Sequence, residues 1–147
     1  MGMIREMLHS DVPAAHAIRL RVRENRLSDP SVVTKQDYHD FMARDTMSWV
    51  HELDGVITGF VMVDVEKQNL WALFVAPEHE GKGIGRALHE VMLIWYFQRS
   101  DTLLLSTDPN TRAEGFYRKR GYQHCGHSKN GESLFELRRV RRGPMTG

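Results

Sequence analysis

The segment Val75-Ala76-Pro77-Glu78-His79-Glu80-Gly81-Lys82-Gly83-Ile84-Gly85-Arg86 constrains this chain more than any other. It is entered from the apolar run Leu70 to Val75 and left through a pattern with helical spacing. A strand, a glycine-rich turn and a helix in that order aim backbone N–H groups and a positive helix end at one spot, which suits a phosphate. Glycine lets the backbone approach such a group with no Cβ in the way. Lys82 and Arg86 bring cations that can neutralise its charge.

At 147 residues the chain is expected to form a single domain over 1–147, with 138–147 a basic tail. Hydrophobic residues make up 41% and charged residues 27%, the balance of an ordinary folded protein. A formal net charge of +1 gives no field that calls for nucleic acid or a membrane surface. The longest apolar run, Val91 to Phe97, is far too short to span a bilayer. Cys125 is the single cysteine, so no intrachain disulfide can form, which suits a reducing cytoplasm. Arg138, Arg139, Arg141 and Arg142 read as a strand end running into a solvated terminus.

Along the chain, Ile4 to Leu8 predicts a first strand. Ser10-Asp11-Val12-Pro13 predicts a helix start, followed by Ala14, Ile18 and Val22 at helical spacing. Arg19, Arg23 and Arg26 fall on a neighbouring face that reads as solvated. Leu27 to Ser31 reads as a loop, and Thr34 with Asp37 as a capping box for a second helix. Trp49 to Glu52, Val56 to Val65 and Asn69 to Val75 form an antiparallel meander, with Asp54-Gly55 as its first hairpin turn. Gly85 to Phe97 is helical, and Leu103-Leu104-Leu105 reads as a strand buried on both faces. Thr111 to Arg120 is a helix closed by Gly121, and a hairpin around Asn130-Gly131 ends the fold. The class is mixed α/β (α+β) with one central sheet.

The glycine turn does not fit the common nucleotide motifs. A Rossmann turn needs G-x-G-x-x-G after the first strand of a parallel unit, whereas Gly81, Gly83 and Gly85 are each two apart and follow antiparallel strands. A Walker loop needs Lys followed by Ser or Thr, and Lys82 is followed by Gly83. A second constellation, Ser106 to Tyr122, lies one strand further on. Taken with Leu73-Phe74-Val75-Ala76-Pro77 and Gly81-Lys82-Gly83-Ile84-Gly85, it resembles the GNAT superfamily of acyl-CoA-dependent N-acyltransferases. The element order resembles that fold too, over nearly the whole chain.

The resemblance implies a mostly antiparallel sheet of about seven strands flanked by four helices, splayed between strands 69–75 and 102–107. It implies acetyl-CoA as co-substrate, no metal, and transfer of an acetyl group directly to a primary amine of a small molecule or peptide. A homodimer is common in such folds. The pantetheine arm would run along Leu73, Phe74 and Val75, and the diphosphate would lie against Gly81, Lys82, Gly83, Ile84, Gly85 and Arg86. Asn110 would touch the pantetheine arm or the attacking region as one of two catalytic residues, with Ala113 and Phe116 beside the arm on the following helix, and Tyr117, the other, would protonate the leaving thiolate. A phenol with a pKa of about 10 can act as such a donor from a fixed position. Glu80 departs from the family, which has Gln or Arg there, and a carboxylate beside a diphosphate is unfavourable unless it points away. The family's strand acid is also missing from Leu70 to Val75, so no base is assigned, and Asp64 and Glu66 read as turn acids. These two departures motivate an alternative, a non-catalytic acyl-CoA-binding module on the same fold. The segment Arg23 to Tyr38, with Arg26, Asp29, Asp37 and Tyr38, and the hairpin Lys129 to Glu132 would flank the acceptor.

Strand alternation places Cys125 and His127 on one face and His124 on the other, with no second ligand pair at zinc spacing. The other histidines, His89 among them, carry no spacing signal. Trp49, Trp71 and Trp95 read as packing residues, since no basic residues interleave with them.

Overall fold

The structure is a computed structural model and describes residues 2–22 and 33–140. Seven strands form one sheet: β1 (Met3–Glu6), β2 (Thr46–Leu53), β3 (Val56–Asp64), β4 (Asn69–Val75), β5 (Thr102–Thr107), β6 (Gln123–His127) and β7 (Ser133–Arg138). Across the sheet they run β1-β2-β3-β4-β5-β7-β6. Among the described residues the helices are α1 (Val12–Val22), α2 (Lys35–Ala43), α3 (Ile84–Tyr96) and α4 (Arg112–Lys119), with short 3-10 turns at His9–Asp11 and Pro77–His79. Every strand pair is antiparallel except β4 with β5. The mixed class and the element order are those the sequence implies.

Local chemistry accounts for most of these boundaries. Asp54 and Gly55 adopt φ of 52° and 80°, the positive angles of a two-residue hairpin turn. The Thr34 hydroxyl accepts from the Asp37 N–H and the Asp37 carboxylate accepts from the Thr34 N–H, closing the capping box of α2. At the other end of the chain's first connection, the Asp11 carboxylate accepts from the Leu8 N–H at 2.8 Å and from Arg5. That ends β1 at Glu6, short of Leu8, and starts a 3-10 turn ahead of α1.

Each sheet face has its own core. Val61, Leu88, Met92, Leu103 and Phe135 pack on the face covered by α3 and α4. Tyr38, Phe41, Phe60 and Met62 pack on the face covered by α1 and α2. A bulge breaks the alternation in β4: Met62 lies opposite Ala72 and Val63 opposite Leu70, so Trp71 is the additional residue. Trp71 and Ala72 consequently both face α1 and α2, whereas Leu70 and Leu73 face α3.

Several sequence expectations are corrected. Leu104 is 37% exposed while Leu103 and Leu105 are buried, because α1 and α2 pack on β2, β3 and β4 and leave the outer face of β5 open. Arg19 is buried, not solvated: its guanidinium lies 5.0 Å from the Trp71 ring and 5.2 Å from the Phe74 ring, where the ring faces attract the cation. Arg23 and Arg26 lie outside the described residues, as do Leu27 to Ser31, Arg141 and Arg142. A bulge at Cys125 puts His124 and His127 on the same face, with ring centroids 4.8 Å apart, since they pair with Phe135 and Ser133 two positions apart. Among the described residues no group of three His, Cys, Asp or Glu is placed to hold a metal ion. Asp64 does act as a turn acid, accepting from the Lys67 N–H, but it is also buried and paired with Arg44. Tyr38 is fully buried and so cannot face an acceptor. Arg139 is tethered to Asp101 at 2.7 Å instead of trailing into a free tail.

Two packing features of α3 have measurable consequences. Gly59 of β3 is where α3 crosses the sheet: a Cβ there would lie 3.0 Å from the Phe74 carbonyl oxygen and 3.1 Å from Leu88. Gly59→Ala is expected to destabilise the fold by about 1–3 kcal/mol in chemical denaturation, the usual cost of overpacking. A neutral result would show that α3 can retreat freely. His89 of α3 is buried, and its Nε2 lies 2.8 Å from the Tyr122 hydroxyl. Burial, with the Arg120 charge as a lesser cause, lowers its pKa to about 4. Between pH 6.5 and 4 the unfolded chain binds this proton and the folded chain does not, so stability falls as pH drops through that window. The loss amounts to about 3 kcal/mol at most. His89→Gln, which can keep a bond to Tyr122, is expected to lose correspondingly less stability than the native chain between pH 6.5 and 4. Parallel stability curves for the two proteins would refute this.

Candidate active site

β4 and β5 meet only at their beginnings. Asn69 lies opposite Leu104, and the Leu104 N–H donates to the Gln68 carbonyl at 2.9 Å. Beyond that point β5 stays paired with β7 over its whole length, and β4 stays paired with β3. The two strands diverge, and the edge of β4 from Leu70 to Val75 presents backbone N–H and C=O groups to the gap.

The gap opens into a cleft of about 750 Å³. Of the residues expected to bind the cofactor, Leu73, Phe74, Val75, Gly81, Gly83, Ile84, Gly85, Arg86, Ala113, Phe116 and Tyr117 all line it. Lys82 and Asn110 do not. Lys82 is exposed, with its Nζ 3.5 Å from His79 Nδ1, and Asn110 is exposed in a left-handed turn at φ 62°. The cleft also takes in Val22, His79, Glu80, Arg112, Gly115, Lys119 and Arg120, which the reading of the motifs had not assigned to it. Spacing within the helix could have found two of them: Arg112 and Lys119 are seven apart in α4 and share its Phe116 face.

The glycine turn prepares the mouth of the cleft for an anion. Gly83 is the N-cap of α3 at φ 82°, a conformation L side chains rarely adopt, and no side chain caps the helix. No acid sits in the first turn of α3. Its leading N–H groups and positive dipole end are therefore left for a ligand. A Cβ at Gly81 or Gly83 would meet nothing within 4 Å, so the space in front of this turn is open.

The charge of the cleft is one-sided. Arg86, Arg112, Lys119 and Arg120 line it, with Glu80 as its one acid among the described residues. The Glu80 carboxylate is paired with Arg112 across the cleft at 2.5 Å. Tyr117 lies in the wall formed by α4, only 7% exposed, and packs against Phe116 and Tyr122 at centroid distances of 5.3 and 5.2 Å. Burial raises its pKa well above the ordinary phenol range, so it holds its proton at neutral pH. Asp64 ends β3, opposite Asn69 at the start of β4 and away from the glycine turn, tied to Arg44.

Comparison with known proteins matches this geometry to a family. The model of the Acetyltransferase (GNAT) family matches residues 8–122. The peptidyl-lysine N-acetyltransferase YiaC of Escherichia coli strain K12 is 32% identical over 129 residues, covering 82% of each chain. The ribosomal-protein-S18-alanine N-acetyltransferase of Escherichia coli superposes with a TM-score of 0.78 at 20% identity, covering 99% of this chain and 98% of that one. The PaiA N-acetyltransferase of Thermoplasma acidophilum, solved in complex with coenzyme A, superposes with a TM-score of 0.77 at 18% identity, covering 94% and 99%. No helix among the described residues is long and apolar enough to cross a membrane. The chain belongs to the GNAT acetyltransferase family and is an acetyl-CoA-dependent enzyme that transfers an acetyl group to an amine.

Proposed function

We propose that the chain transfers acetyl directly from acetyl-CoA to a primary amine held at the β4–β5 cleft, with Tyr117 serving the leaving thiolate. The observation that carries this reading is the cleft itself, which opens on the uncapped N-terminus of α3 and has Tyr117 in its wall. The diphosphate lies against the backbone of Gly81, Gly83, Ile84 and Gly85, with Arg86 and Lys82 as cations at the rim. The pantetheine arm adds to the open edge of β4 at Leu73, Phe74 and Val75, between β4 and the Ala113–Phe116 side of α4. Asn110, which does not line the cleft, is left without a role in this reading.

The chemistry needs few groups. The amine attacks the thioester carbonyl, the C–S bond breaks, and the sulfur must leave as thiol rather than thiolate. A neutral, buried phenol at Tyr117 donates its hydrogen to the departing sulfur. The attacking nitrogen gives up one proton to solvent, and a proton taken back from solvent restores the neutral Tyr117 phenol. The acceptor is read as a peptide amine before a free small molecule, on the strength of the likeness to a peptidyl-lysine acetyltransferase. The cytoplasm, where acetyl-CoA and a lone reduced thiol such as Cys125 both persist, is the place we assign to the reaction.

Calorimetric titration tests the reading: acetyl-CoA is expected to bind in the micromolar range, and ATP and NAD to bind far more weakly. No binding of acetyl-CoA by the folded protein would sink it. Tyr117→Phe is expected to lower kcat about a hundredfold with acetyl-CoA affinity unchanged, as loss of a proton donor does. Unchanged turnover would remove Tyr117 from the mechanism. Gly83→Glu puts a bulky anion where the diphosphate lies and is expected to abolish acetyl-CoA binding, at a backbone cost of roughly 1–2 kcal/mol. Normal binding by that variant would place the phosphate site elsewhere.

A further inference from the structure

We propose that the Glu80 carboxylate is an internal stand-in for the cofactor's diphosphate, holding Arg112 across the mouth of the cleft until the ligand takes its place. Arg112 is thereby assigned as a diphosphate-binding residue, and Glu80 as its competitor. The inference deepens the cofactor assignment above and rests on it.

The pair spans the two walls of the cleft. Glu80 opens the glycine turn that leads into α3, and Arg112 is the first residue of α4. Their side chains meet at 2.5 Å between Arg112 Nη1 and Glu80 Oε2, and both residues line the cleft. A ligand that lies on the N-terminus of α3 with its arm along β4 passes between these walls. The bridge must therefore open or change partners when the ligand enters.

The energetics favour a change of partner. The Arg112 side chain is 75% exposed and that of Glu80 29%. An ion pair this open to solvent is worth only about 0.2–1 kcal/mol. It is too weak to serve the stability of the fold and cheap to break. A diphosphate offers Arg112 several phosphate oxygens in place of one carboxylate, in the planar two-point geometry that guanidinium groups prefer. It also reaches the N-terminus of α3, whose dipole amounts to roughly half a positive charge and which the Glu80 side chain leaves uncapped.

The arrangement explains how an acid is tolerated in a cleft otherwise lined by Arg86, Lys119 and Arg120. With no ligand present, Glu80 compensates part of this positive charge. With the ligand bound, Arg112 bonds to phosphate and Glu80 turns to solvent. A small anion with one negative charge gains little by the exchange, because it replaces one carboxylate by another. The exchange thus favours ligands that carry the nucleotide portion of CoA over shorter thioesters.

The test is a double-mutant cycle read by calorimetry, with acetyl-CoA and acetyl-pantetheine, which lacks the nucleotide, as probes. Glu80→Gln is expected to tighten acetyl-CoA binding about fivefold, the upper range for one exposed pair. Arg112→Gln is expected to weaken it about tenfold, as loss of a charged hydrogen-bond partner does. Glu80→Gln placed on Arg112→Gln is expected to recover less than twofold, because the competitor then has nothing to compete for. Acetyl-pantetheine affinity is expected to stay the same in all four proteins. Glu80→Ala serves as a second variant should the amide of Gln make a new bond to Arg112. Weaker or unchanged acetyl-CoA binding in both Glu80 variants would overturn the proposal. Equal tightening with and without Arg112 would also overturn it, since Glu80 would then act by plain repulsion. If the native protein, folded by its melting curve, binds no acetyl-CoA, the cofactor assignment itself fails and takes this inference with it.

Discussion

The parting of β4 from β5 is the constraint on which the rest of this structure depends. A sheet of seven strands ordinarily closes every internal ladder, and here one ladder ends after Asn69 and Leu104. Each strand keeps its other neighbour, so β4 is anchored by β3 and β5 by β7. The two halves of the sheet are joined instead through the core beneath them, where Leu88 and Met92 of α3, Leu103 of β5 and Tyr117 of α4 share one cluster. Backbone groups buried in such a gap would be costly, so the gap has to admit water or a ligand with its own amides. The open edge and the binding site are one feature seen from two sides.

The position of α3 follows from the same constraint. Its N-terminus has to reach the mouth of the gap, and its body has to hold the diverging strands together. The close approach at Gly59 and the stripe Ile84, Leu88, Met92 and Tyr96 fix the body. The left-handed Gly83 then lets the chain turn from β4 into the helix with its first N–H groups pointing outward. A side-chain cap in place of Gly83 would satisfy those groups internally and spend the feature that attracts a phosphate. Local positive charge from α4 reinforces it, although the whole chain carries a formal charge of only +1. Overall charge is therefore a poor guide to the field inside a cleft.

Much of this was legible in the sequence. Strand β4, the capping box at Thr34 and Asp37, the Asp54-Gly55 hairpin and the glycine turn into α3 depend on interactions within a few residues, which spacing reports well. What escaped depends on partners distant in the chain. Arg19 looked solvated by helical spacing, but only the folded sheet brings Trp71 and Phe74 beneath it. Leu104 looked buried in an apolar run, but the helices that cover β2, β3 and β4 stop short of β5. His124 and His127 changed relative faces because one bulged residue, Cys125, resets a period of two. His89 does sit three residues before Met92 and seven before Tyr96, so its burial was recoverable from the stripe had polar residues been counted in it. Glu80 showed as a departure in the sequence, but Arg112, the residue that neutralises it, is 32 positions away on another element.

The proton inventory of the cleft bears on how the enzyme divides its labour. Transfer from an acyl thioester to an alkylammonium releases one proton overall: the amine loses two, and the departing sulfur takes one. Tyr117, kept protonated by burial, is suited to the sulfur and unsuited to collecting protons from the amine. Glu80 is the one carboxylate lining the cleft among the described residues, and it sits beside the glycine turn, where we propose that the diphosphate binds. Asp64 is committed to Arg44 at the end of β3. Among the described residues no other acid lines the cleft, and holding a neutral amine and a thioester in line can itself be worth several orders of magnitude. Such a site makes few demands on side chains and strict demands on backbone placement. That is why the bulge at Trp71, the divergence after Asn69 and the turn at Gly83 matter more here than any single titrating group.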